Sequence, residues 1–334
     1  MSGYRAILLV GGEGTRLRPL TYTRPKPLLP VVGISILERK LAHLAAHGVT
    51  EAVLSLGYKP DAFLAAFPSG EACGVRLHYA VEPAPLDTAG AILFAAVEAG
   101  YDQLAGPTIV VNGDVITDLD ITAQMAFHVA NGAEATIALT QVEDPSAFGV
   151  VPTDESGRVL AFVEKPPRNE APTNWINAGT YILEPSVLAR IPRARKASIE
   201  REIFPVIAAE GRLFAVHSPA YWIDTGTPAL YLQATGDLLG DSSFVGEGAV
   251  VNPSAVVQRS VIGAGATVGA HAQVIRSVLL PGAIIGDKAV VEDSIVGEHA
   301  QVGSRSKLSA HTVLGDGVVV ADDVVHICER LAIP

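Results

Sequence analysis

Short apolar segments rich in β-branched residues alternate with helical patterns from residue 6 to about residue 240. A strand is predicted where such a segment is bounded by turn residues, and a helix where apolar positions recur every three to four residues. The predicted strands are 6–10, 51–56, 75–81, 107–112 and 135–141, and the predicted helices are 37–46, 88–99, 121–130 and 228–239. This alternation predicts an α/β catalytic domain over residues 1–240, with a Rossmann-like mixed, mostly parallel sheet.

A different pattern begins at residue 241, where aliphatic residues recur with a period of 17, in steps of 6, 6 and 5. The columns of this repeat are Val245, Ile262, Leu279, Val296 and Val313; Val251, Val268, Ile285, Val302 and Val319; and Val257, Val274, Val291, Leu308 and Val325. Glycines lie between the columns, and glycine adopts corner conformations that cost other residues energy. We therefore predict a C-terminal left-handed parallel β-helix over residues 241–334.

A solenoid of this kind has a flat flank and an open edge, so we expect it to support assembly of a homo-oligomer. Some β-helix proteins are acyltransferases, which need a positioned histidine and a groove for an acyl carrier. His271, His299 and His311 have no motif around them. The repeat therefore favours assembly over acyl transfer.

Composition and charge limit the number of domains, the binding partners and the location that we expect for the protein. The chain has 334 residues, 49% of them hydrophobic, which suits about two domains. A net charge of −11 argues against a nucleic-acid partner, although salt screens charges over about 8 Å and a local basic cluster can still bind an anion. Apolar runs are too short for a signal peptide or a membrane span, so we expect a cytoplasmic protein without a membrane partner. Cys73 and Cys328 are isolated in the sequence and predict neither a disulfide nor a zinc site.

One stretch of this acidic chain is basic. GGEGTRLRPLTYTRPKP, residues 11–27, contains Arg16, Arg18, Arg24 and Lys26. It follows a predicted strand, and the glycine-rich turn after a strand of an open α/β sheet is where phosphates and nucleotides bind. The turn lacks both the third glycine of a dinucleotide fingerprint and the Gly-Lys-Ser/Thr of a Walker A loop. The stretch therefore predicts a site for an anionic ligand.

The longer run GGEGTRLRPLTYTRPKPLLPV closely resembles the signature of the sugar-1-phosphate nucleotidyltransferases, also called nucleotide-sugar pyrophosphorylases. Matching motifs follow in order: EPAPLDTAGAI at 82–92, VVNGDV at 110–115, FVEKP at 162–166, INAGTYILEP at 176–185, SIEREIFP at 198–205 and YWIDTGTP at 221–228. Within the family, LDTAG, NGDV, INAGTYILEP and SIERE most resemble the mannose-1-phosphate guanylyltransferases, which make GDP-mannose and pyrophosphate from GTP and mannose 1-phosphate.

The resemblance leaves other functions open. The same chemistry could use glucose 1-phosphate with UTP or dTTP, or a heptose 1-phosphate with GTP. A catalytically silent regulatory subunit that only binds a nucleotide sugar would be expected to lack the charged residues, but Arg16, Lys26, Asp114 and Asp224 are all present. A nicotinamide-dependent oxidoreductase is disfavoured by the missing fingerprint glycine.

The reaction is an in-line attack of a sugar-phosphate oxygen on the α-phosphorus of the nucleotide, so the protein must mainly position groups and neutralise charge. Arg16 could contact the departing pyrophosphate with its forked guanidinium, and Lys26 could neutralise phosphate oxygens. The resemblance makes both residues catalytic. For each of Arg18 and Arg24, a role in the site and a role on the surface of the loop both stay open. The expected nucleotide-binding residues are Val10, Gly11, Gly12, Gly14, Thr15, Glu82, Asp87, Gly90 and Gly113.

Two aspartates are predicted to hold Mg²⁺. Asp114 follows a predicted strand at the edge of the sheet where ligands bind, and Asp224 lies in the WIDTG motif. A carboxylate there would repel a triphosphate unless a cation intervened, and Mg²⁺ is commonly held by few carboxylates together with phosphate oxygens. The resemblance assigns the same pair to the metal and to catalysis.

Substrate specificity is predicted to come from further polar residues. Glu82 or Asp87 is expected to accept hydrogen bonds from the N–H donors of guanine, with Asp87 as a helix N-cap as the alternative. The resemblance assigns Glu164 to the sugar hydroxyls and Lys165 to the sugar phosphate. The residues expected to complete this sugar-phosphate site are Gly149, Asn177 and Gly179.

Overall fold

The computed structural model describes residues 3–193 and 195–333. The chain divides into two compact units, Met1–Gly12 with Leu37–Trp222, and Glu13–Ile36 with Ile223–Pro334. We call Glu13–Ile36 the signature segment, because it contains most of the basic stretch. It belongs to the same unit as the C-terminal part of the chain, whereas the hydrophobic pattern predicts a single division near residue 240.

Each predicted strand and helix before the solenoid is present, and its ends differ from the predicted ones by at most two residues. The structure adds further short strands and helices for which the sequence pattern gave no bounds. The strands are β1 (Tyr4–Leu9), β2 (Pro30–Val31), β3 (Ile34–Ser35), β4 (Val49–Leu56), β5 (Glu71–Ala72), β6 (Val75–Val81), β7 (Thr108–Asn112), β8 (Val115–Thr117), β9 (Ala135–Gln141), β10 (Gly149–Val150), β11 (Val163–Glu164), β12 (Trp175–Leu183), β13 (Leu213–His217) and β14 (Trp222–Asp224). The α-helices are α1 (Ile36–Ala46), α2 (Pro60–Ala66), α3 (Asp87–Glu98), α4 (Ile121–Ala130), α5 (Pro185–Arg190), α6 (Phe204–Ala209) and α7 (Pro228–Leu239).

The first unit is built on a mixed sheet with the order β11-β10-β12-β7-β1-β4-β6-β5, and β9 pairs with both β12 and β13. Its centre is parallel, because β1 pairs in parallel with β4 and β7, and β4 with β6. The central strands are apolar on both faces, as expected for a parallel sheet covered by helices. The carboxyl ends of parallel strands lie at one edge, so the turns that follow β1, β4, β6 and β7 gather there.

The core of this unit lies between the sheet and α3. Ala89, Ile92 and Ala96 of the helix are buried against Ile7 and Val110 of the sheet. Alanines on this face let the helix approach the strands closely, since side chains in a core pack to nearly crystalline density. The N-terminal end of α3 is thereby fixed next to the edge where the turns gather.

The C-terminal part of the second unit is a solenoid of short strands, which confirms the predicted β-helix. The strands are β15 (Phe244–Val245), β16 (Val250–Val251), β17 (Val256–Gln258), β18 (Val261–Ile262), β19 (Thr267–Val268), β20 (Gln273–Ile275), β21 (Val278–Leu279), β22 (Ile284–Ile285), β23 (Val290–Glu292), β24 (Ile295–Val296), β25 (Gln301–Val302), β26 (Lys307–Ser309), β27 (Val313–Leu314), β28 (Val319–Val320), β29 (Val325–Ile327) and β30 (Arg330–Leu331). Every third strand pairs in parallel, which gives three sheets that begin at β15, β16 and β17. The architecture fits a left-handed parallel β-helix.

The predicted columns are wrong in the last coil. Val313, Val319 and Val325 were expected to continue the columns, but Leu314, Val320 and His326 pair with Val296, Val302 and Leu308 instead. Val313 is nevertheless buried, beside Ile295. The corner before β27 contains one extra residue, and both Ala310 and His311 there have positive φ angles, of 54° and 64°. As a result, Val319 and Val325 are 67% and 57% exposed, whereas Leu314 is fully buried.

Two expectations drawn from composition can be compared with the structure. Cys73 and Cys328 are exposed free thiols. Among residues 3–193 and 195–333, no helix has the length and apolar character needed to cross a membrane.

Candidate active site

The glycine turn after β1 packs tightly against the turn after β4. The Tyr58 amide donates a hydrogen bond to the Gly11 carbonyl at 3.1 Å. A Cβ atom on Gly57 would lie 2.9 Å from that oxygen, and one on Gly11 would lie 3.1 Å from the Gly57 nitrogen. Gly12 is exposed, with no atom within 4 Å of the place where its Cβ would be. A ligand can therefore approach the backbone of Gly12 without meeting a side chain.

Glu82 lies beside this turn and is held in place by two hydrogen bonds. Its carboxylate accepts from the Ser55 hydroxyl at 3.1 Å and from the Leu86 amide at 3.0 Å. Its Oε1 atom is 3.5 Å from the position that a Cβ on Gly11 would occupy. Glu82 is therefore fixed next to the glycine turn.

Asp87 has a different environment. It is exposed, its φ is 61°, and its carboxylate accepts from the adjacent Thr88 amide at 2.8 Å. Asp87 is the first residue of α3, and the N-cap position is occupied by Leu86. The alternative interpretation of Asp87 as the N-cap is therefore wrong.

Asp114 follows the tight turn after β7. The Gly113 amide donates to the Leu9 carbonyl at 3.0 Å, and a Cβ on Gly113 would lie 2.2 Å from Val10 Cγ1. Lys40 of α1 is 5% exposed, and burial lowers its pKa to about 8 against the opposing effect of the Asp114 charge. Lys40 thus places a buried positive charge near Asp114, a feature that sequence analysis missed because most helical lysines are solvated.

Two cations of the signature segment converge on Asp224 within the second unit. Lys26 Nζ lies 2.9 Å from Asp224 Oδ1, and Arg16 Nη2 lies 3.5 Å from Oδ2. The Lys26 side chain is 6% exposed and the Arg16 side chain 64%. Lys26 sits between Pro25 and Pro27 in the 3₁₀ turn Lys26–Leu28, where the prolines restrict the backbone. Lys26 is therefore a fixed cation, and Arg16 has room to move.

Two glycines make space for this cluster. Gly14 has a φ of 63°, and a Cβ there would lie 3.1 Å from Lys26 Cβ. A Cβ on Gly226 would lie 2.5 Å from Arg16 Nη2 and 3.0 Å from Asp224 Oδ1. Sequence analysis did not single out Gly226, although it directly follows Asp-Thr in the WIDTG motif.

Arg18 and Arg24 have carboxylate partners within the second unit. Arg18 Nη2 lies 2.8 Å from Glu13, and its guanidinium lies over the Tyr22 ring, 5.3 Å from the centroid. Arg24 Nη2 lies 2.6 Å from Glu298 of the β-helix. These contacts favour a role in shaping the segment over a role in binding substrate.

The predicted sugar-binding residues Gly149 and Glu164 are neighbours on β10 and β11. The two residues are paired in the antiparallel register, and a Cβ on Gly149 would lie 2.6 Å from the Phe162 ring and 3.1 Å from Glu164 Oε2. Glu164 is half-buried and lies 3.4 Å from Lys165 and 3.9 Å from Arg201. Arg201 is a cation near this carboxylate that sequence analysis missed.

Asn177 and Gly179 lie at an irregular part of β12. Asn177 accepts from the Gly179 amide at 2.9 Å and donates to the Tyr181 hydroxyl at 2.8 Å. Tyr181 in turn donates to Glu200 at 3.4 Å, and burial, followed by the Glu200 charge, raises the pKa of Tyr181 well above its usual value. Thr88 of α3 also donates to Glu200, at 2.6 Å. Asn177 is therefore held by a polar network that reaches α3.

The remaining predicted nucleotide-binding residues differ in accessibility. Gly90 is buried in α3, where a Cβ would lie 2.9 Å from Leu86 Cβ and 3.3 Å from the Arg195 carbonyl. Val10 is buried, and its amide donates to the Ser55 carbonyl at 3.2 Å. Thr15 is exposed in the 3₁₀ turn Thr15–Leu17. Gly90 and Val10 thus pack against the protein, and Thr15 faces solvent.

The predicted metal ligands belong to different units, Asp114 to the first and Asp224 to the second. In the part of the chain that the structure describes, no three or more His, Cys, Asp or Glu side chains gather as a metal-binding group. Mg²⁺ needs few protein carboxylates when it also binds substrate phosphates. The carboxylate oxygens of the two aspartates suit Mg²⁺, and the joint binding of one Mg²⁺ by Asp114 and Asp224 stays a prediction.

The chain matches two protein-family models along nearly its whole length. Residues 5–240 match the Nucleotidyl transferase model, and residues 239–334 match the GMPPB C-terminal domain model. The chain belongs to the nucleotidyl transferase family. This nucleotidyl transferase is therefore an enzyme, and members of its family generally use a divalent metal.

Relatives of this nucleotidyl transferase have more specific names. It is 40% identical over 266 residues to the mannose-1-phosphate guanylyltransferase of Mycobacterium tuberculosis, and the match covers 75% of this chain and 72% of the relative. It is 39% identical over 344 residues to the mannose-1-phosphate guanyltransferase of Aspergillus fumigatus, and this match covers 96% of this chain and 93% of the relative. The crystal structure of HddC from Yersinia pseudotuberculosis complexed with GMP-PN is 29% identical, with a TM-score of 0.60, and the match covers 70% of this chain and 99% of HddC.

Proposed function

We propose that this nucleotidyl transferase is a mannose-1-phosphate guanylyltransferase, which converts GTP and mannose 1-phosphate into GDP-mannose and pyrophosphate. The observation that carries the proposal is the likeness to relatives of that name, one of them along 96% of the chain. The similar solved structure complexed with GMP-PN supports a guanine nucleotide. A guanylyltransferase acting on another sugar phosphate is the nearest alternative.

The signature segment supplies the positive charge that the reaction needs. Lys26 is fixed and nearly buried, so it can neutralise phosphate oxygens at little cost in side-chain ordering. Arg16 makes only a long contact with Asp224, 3.5 Å, and is mostly exposed. We assign Arg16 to the pyrophosphate group, where the guanidinium can follow the charge that grows as the bond to the α-phosphorus breaks. The backbone of Gly12 leaves space for the nucleotide.

We assign Mg²⁺ to Asp114 and Asp224. When bound, a divalent cation neutralises charge on the phosphate oxygens. The chain's own contribution is to hold both carboxylates ready, because Lys40 supplies positive charge near Asp114, and Lys26 and Arg16 do so at Asp224.

Of the two carboxylates considered for the base, we assign Glu82 to guanine. Glu82 lies beside the glycine turn and is oriented by Ser55 and Leu86, and each carboxylate oxygen has a second lone pair for the N–H donors of guanine. Asp87 is exposed and bonded to the adjacent residue. Leaving a buried polar group unpaired costs about 1–3 kcal/mol, so Glu82→Gln should lower kcat/KM for GTP by about 10- to 100-fold and spare UTP. Asp87→Asn is the matched control, and equal losses for all nucleotides in Glu82→Gln would remove the assignment.

The sugar phosphate is assigned to the residues around β10, β11 and β12. Glu164 is a hydrogen-bond acceptor for sugar hydroxyls, and Lys165 and Arg201 bring positive charge close to it. Asn177 and the backbone of Gly149 and Gly179 complete the site. The network through Tyr181 and Glu200 orients Asn177 before substrate binds, which reduces the entropy lost on binding.

The proposed function is tested by pyrophosphate release across a grid of nucleoside triphosphates and sugar 1-phosphates, with Mg²⁺ and with chelator. We expect GTP with mannose 1-phosphate to give the highest rate, and the chelator to abolish it. Release only with UTP or dTTP and glucose 1-phosphate would replace the proposed substrates. No release with any pair would indicate a silent subunit.

We also propose that the protein works in the cytoplasm as a homo-oligomer assembled through the β-helix. The support is a solenoid whose second and third sheets expose Val250, Ile284 and Val256. Light scattering on the full chain and on its Val250→Asp/Ile284→Asp variant tests the assembly, and equal subunit numbers would place the interface elsewhere.

A further inference from the structure

Arg330, near the end of the β-helix, binds the backbone around Arg16. Its Nη1 atom donates to the carbonyl of Arg16 at 2.7 Å and to the carbonyl of Arg18 at 3.3 Å. These carbonyls flank the end of the 3₁₀ turn Thr15–Leu17, which carries the Arg16 side chain. Because that side chain is 64% exposed and makes a long contact with Asp224, the backbone anchor largely decides where its guanidinium can reach.

Two more contacts hold the part of the signature segment that leads to Lys26. The Thr23 hydroxyl donates to Asp316 at 2.5 Å, and Arg24 lies 2.6 Å from Glu298. Glu298 and Asp316 lie at equivalent corners of consecutive coils, after β24 and β27. The segment is thus tied to the solenoid on both sides of its second 3₁₀ turn, Leu20–Tyr22.

Asp316 has a role that an ordinary corner aspartate lacks. One carboxylate oxygen accepts from the Glu298 amide at 2.8 Å, just as Asp322 accepts from the Ser304 amide at 2.8 Å at another corner. The other oxygen of Asp316 accepts from Thr23 in the signature segment. The corner therefore joins two coils in the usual way and binds the segment in addition.

We infer that the β-helix is a positioning device for catalysis, in which Arg330, Asp316 and Glu298 place Arg16 and Lys26, an inference that rests on the proposed function. Partly exposed hydrogen bonds and ion pairs contribute little to global stability. A displacement of about 1 Å in a catalytic group, in contrast, can lower a rate by about 100-fold. Loss of an anchor should therefore reduce turnover more than it reduces stability.

The kinetic signature follows from the assignment of Arg16 to the departing pyrophosphate. An interaction that forms as the charge develops affects kcat, and one present in the ground state affects KM. Arg330→Ala should lower kcat by about 10-fold with little change in KM for the sugar phosphate. In the reverse reaction it should raise the KM for pyrophosphate. Arg330→Lys keeps a donor and should recover part of the loss.

The test uses the full chain and the substrate pair on which the wild type is most active. Arg305→Ala is the matched control, because Arg305 is a β-helix arginine bonded to Asp323 at 2.6 Å. Asp316→Asn is compared in the same way with Asp322→Asn. The decisive measurement is kcat for Arg330→Ala in the Arg16→Ala background, where an effect that acts through Arg16 should shrink to less than about 2-fold. Thermal unfolding verifies that each variant is folded.

Several outcomes would overturn the inference. Arg330→Ala could keep the wild-type kcat, or lower it equally with and without Arg16, or lower it no more than Arg305→Ala does. If Arg330→Ala does not fold, an equal kcat in Asp316→Asn and Asp322→Asn overturns the inference instead. A wild type that is inactive on every substrate pair contradicts the proposed function and removes this inference with it.

Discussion

Lys26→Met removes the fixed cation from Asp224 but keeps an aliphatic side chain of similar length. The two charged groups are 2.9 Å apart, and their side chains are 6% and 19% exposed. Removing one partner of a buried ion pair costs about 3–5 kcal/mol, because the other charge is left uncompensated. Asp224 retains Arg16 at 3.5 Å and some contact with water. We therefore expect a smaller loss of unfolding free energy, about 2 kcal/mol.

Turnover should fall much further than stability in this variant. Loss of a preorganised electrostatic stabiliser lowers kcat by about 10²- to 10³-fold. The double variant Lys26→Met/Asp224→Asn no longer contains an Asp224 charge that has lost Lys26, and Arg16, which loses its contact with Asp224, is mostly exposed to water. It should therefore regain part of the lost stability and none of the lost activity. Urea unfolding followed by circular dichroism gives the first quantity, and pyrophosphate release gives the second.

The two measurements can refute the reasoning separately. If the double variant is as unstable as the sum of the single variants, the ion pair is not the source of the loss. If Lys26→Met keeps a kcat within a few-fold of the wild type, Lys26 does not neutralise charge in the transition state.

Three further predictions test other parts of the site. Asp114→Asn should lower kcat by about 10²-fold or more with the fold retained, and near-normal turnover at low Mg²⁺ would remove Asp114 from the metal site. Gly226→Ala places a Cβ 2.5 Å from Arg16 Nη2. Because the end of a flexible side chain can move, we expect an unchanged melting temperature and a kcat lowered by about 10-fold. Unchanged kinetics would show that Arg16 need not occupy this position. Burial, followed by the charges of Lys40 and His47, lowers the pKa of His43 to about 4. The fold therefore keeps His43 neutral. The stability that the neutral His43 contributes is fully present above about pH 6.5 and should be lost as the pH falls toward 4. Thermal unfolding against pH should show a shallower acid loss in His43→Gln, and identical curves would contradict this origin.

The elements of the fold could be predicted because they depend on local patterns. The strands 75–81 and 135–141 and the helices 121–130 and 228–239 have the predicted ends, since apolar runs and turn residues define them. The β-helix followed from a repeat, and the prediction failed where the corner before β27 adds one residue. A strict period cannot register a single insertion, so Val319 and Val325 were expected inside.

The site was predictable only where a motif carries the chemistry. Arg16, Lys26 and Asp224 are in family motifs, and the structure brings these three together. The contact between Arg330 and Arg16 joins residues that are 314 positions apart, and no local pattern marks it. In the sequence Lys40 resembles a solvated helical lysine, and only the folded structure shows that it is buried. Long-range contacts and burial are properties of the folded chain, and they have no signature in a single sequence.

Competition between substrates tests the central claim most directly. The enzyme is given equal concentrations of GTP, UTP, dTTP and ATP with mannose 1-phosphate and Mg²⁺, and the nucleotide sugars are separated and identified by mass spectrometry. Because competing substrates are consumed in the ratio of their kcat/KM values, the product mixture reports specificity without separate kinetics. We predict that GDP-mannose exceeds each other product by at least about 10-fold, as a base-reading carboxylate implies. A mixture led by UDP- or dTDP-mannose would contradict the account.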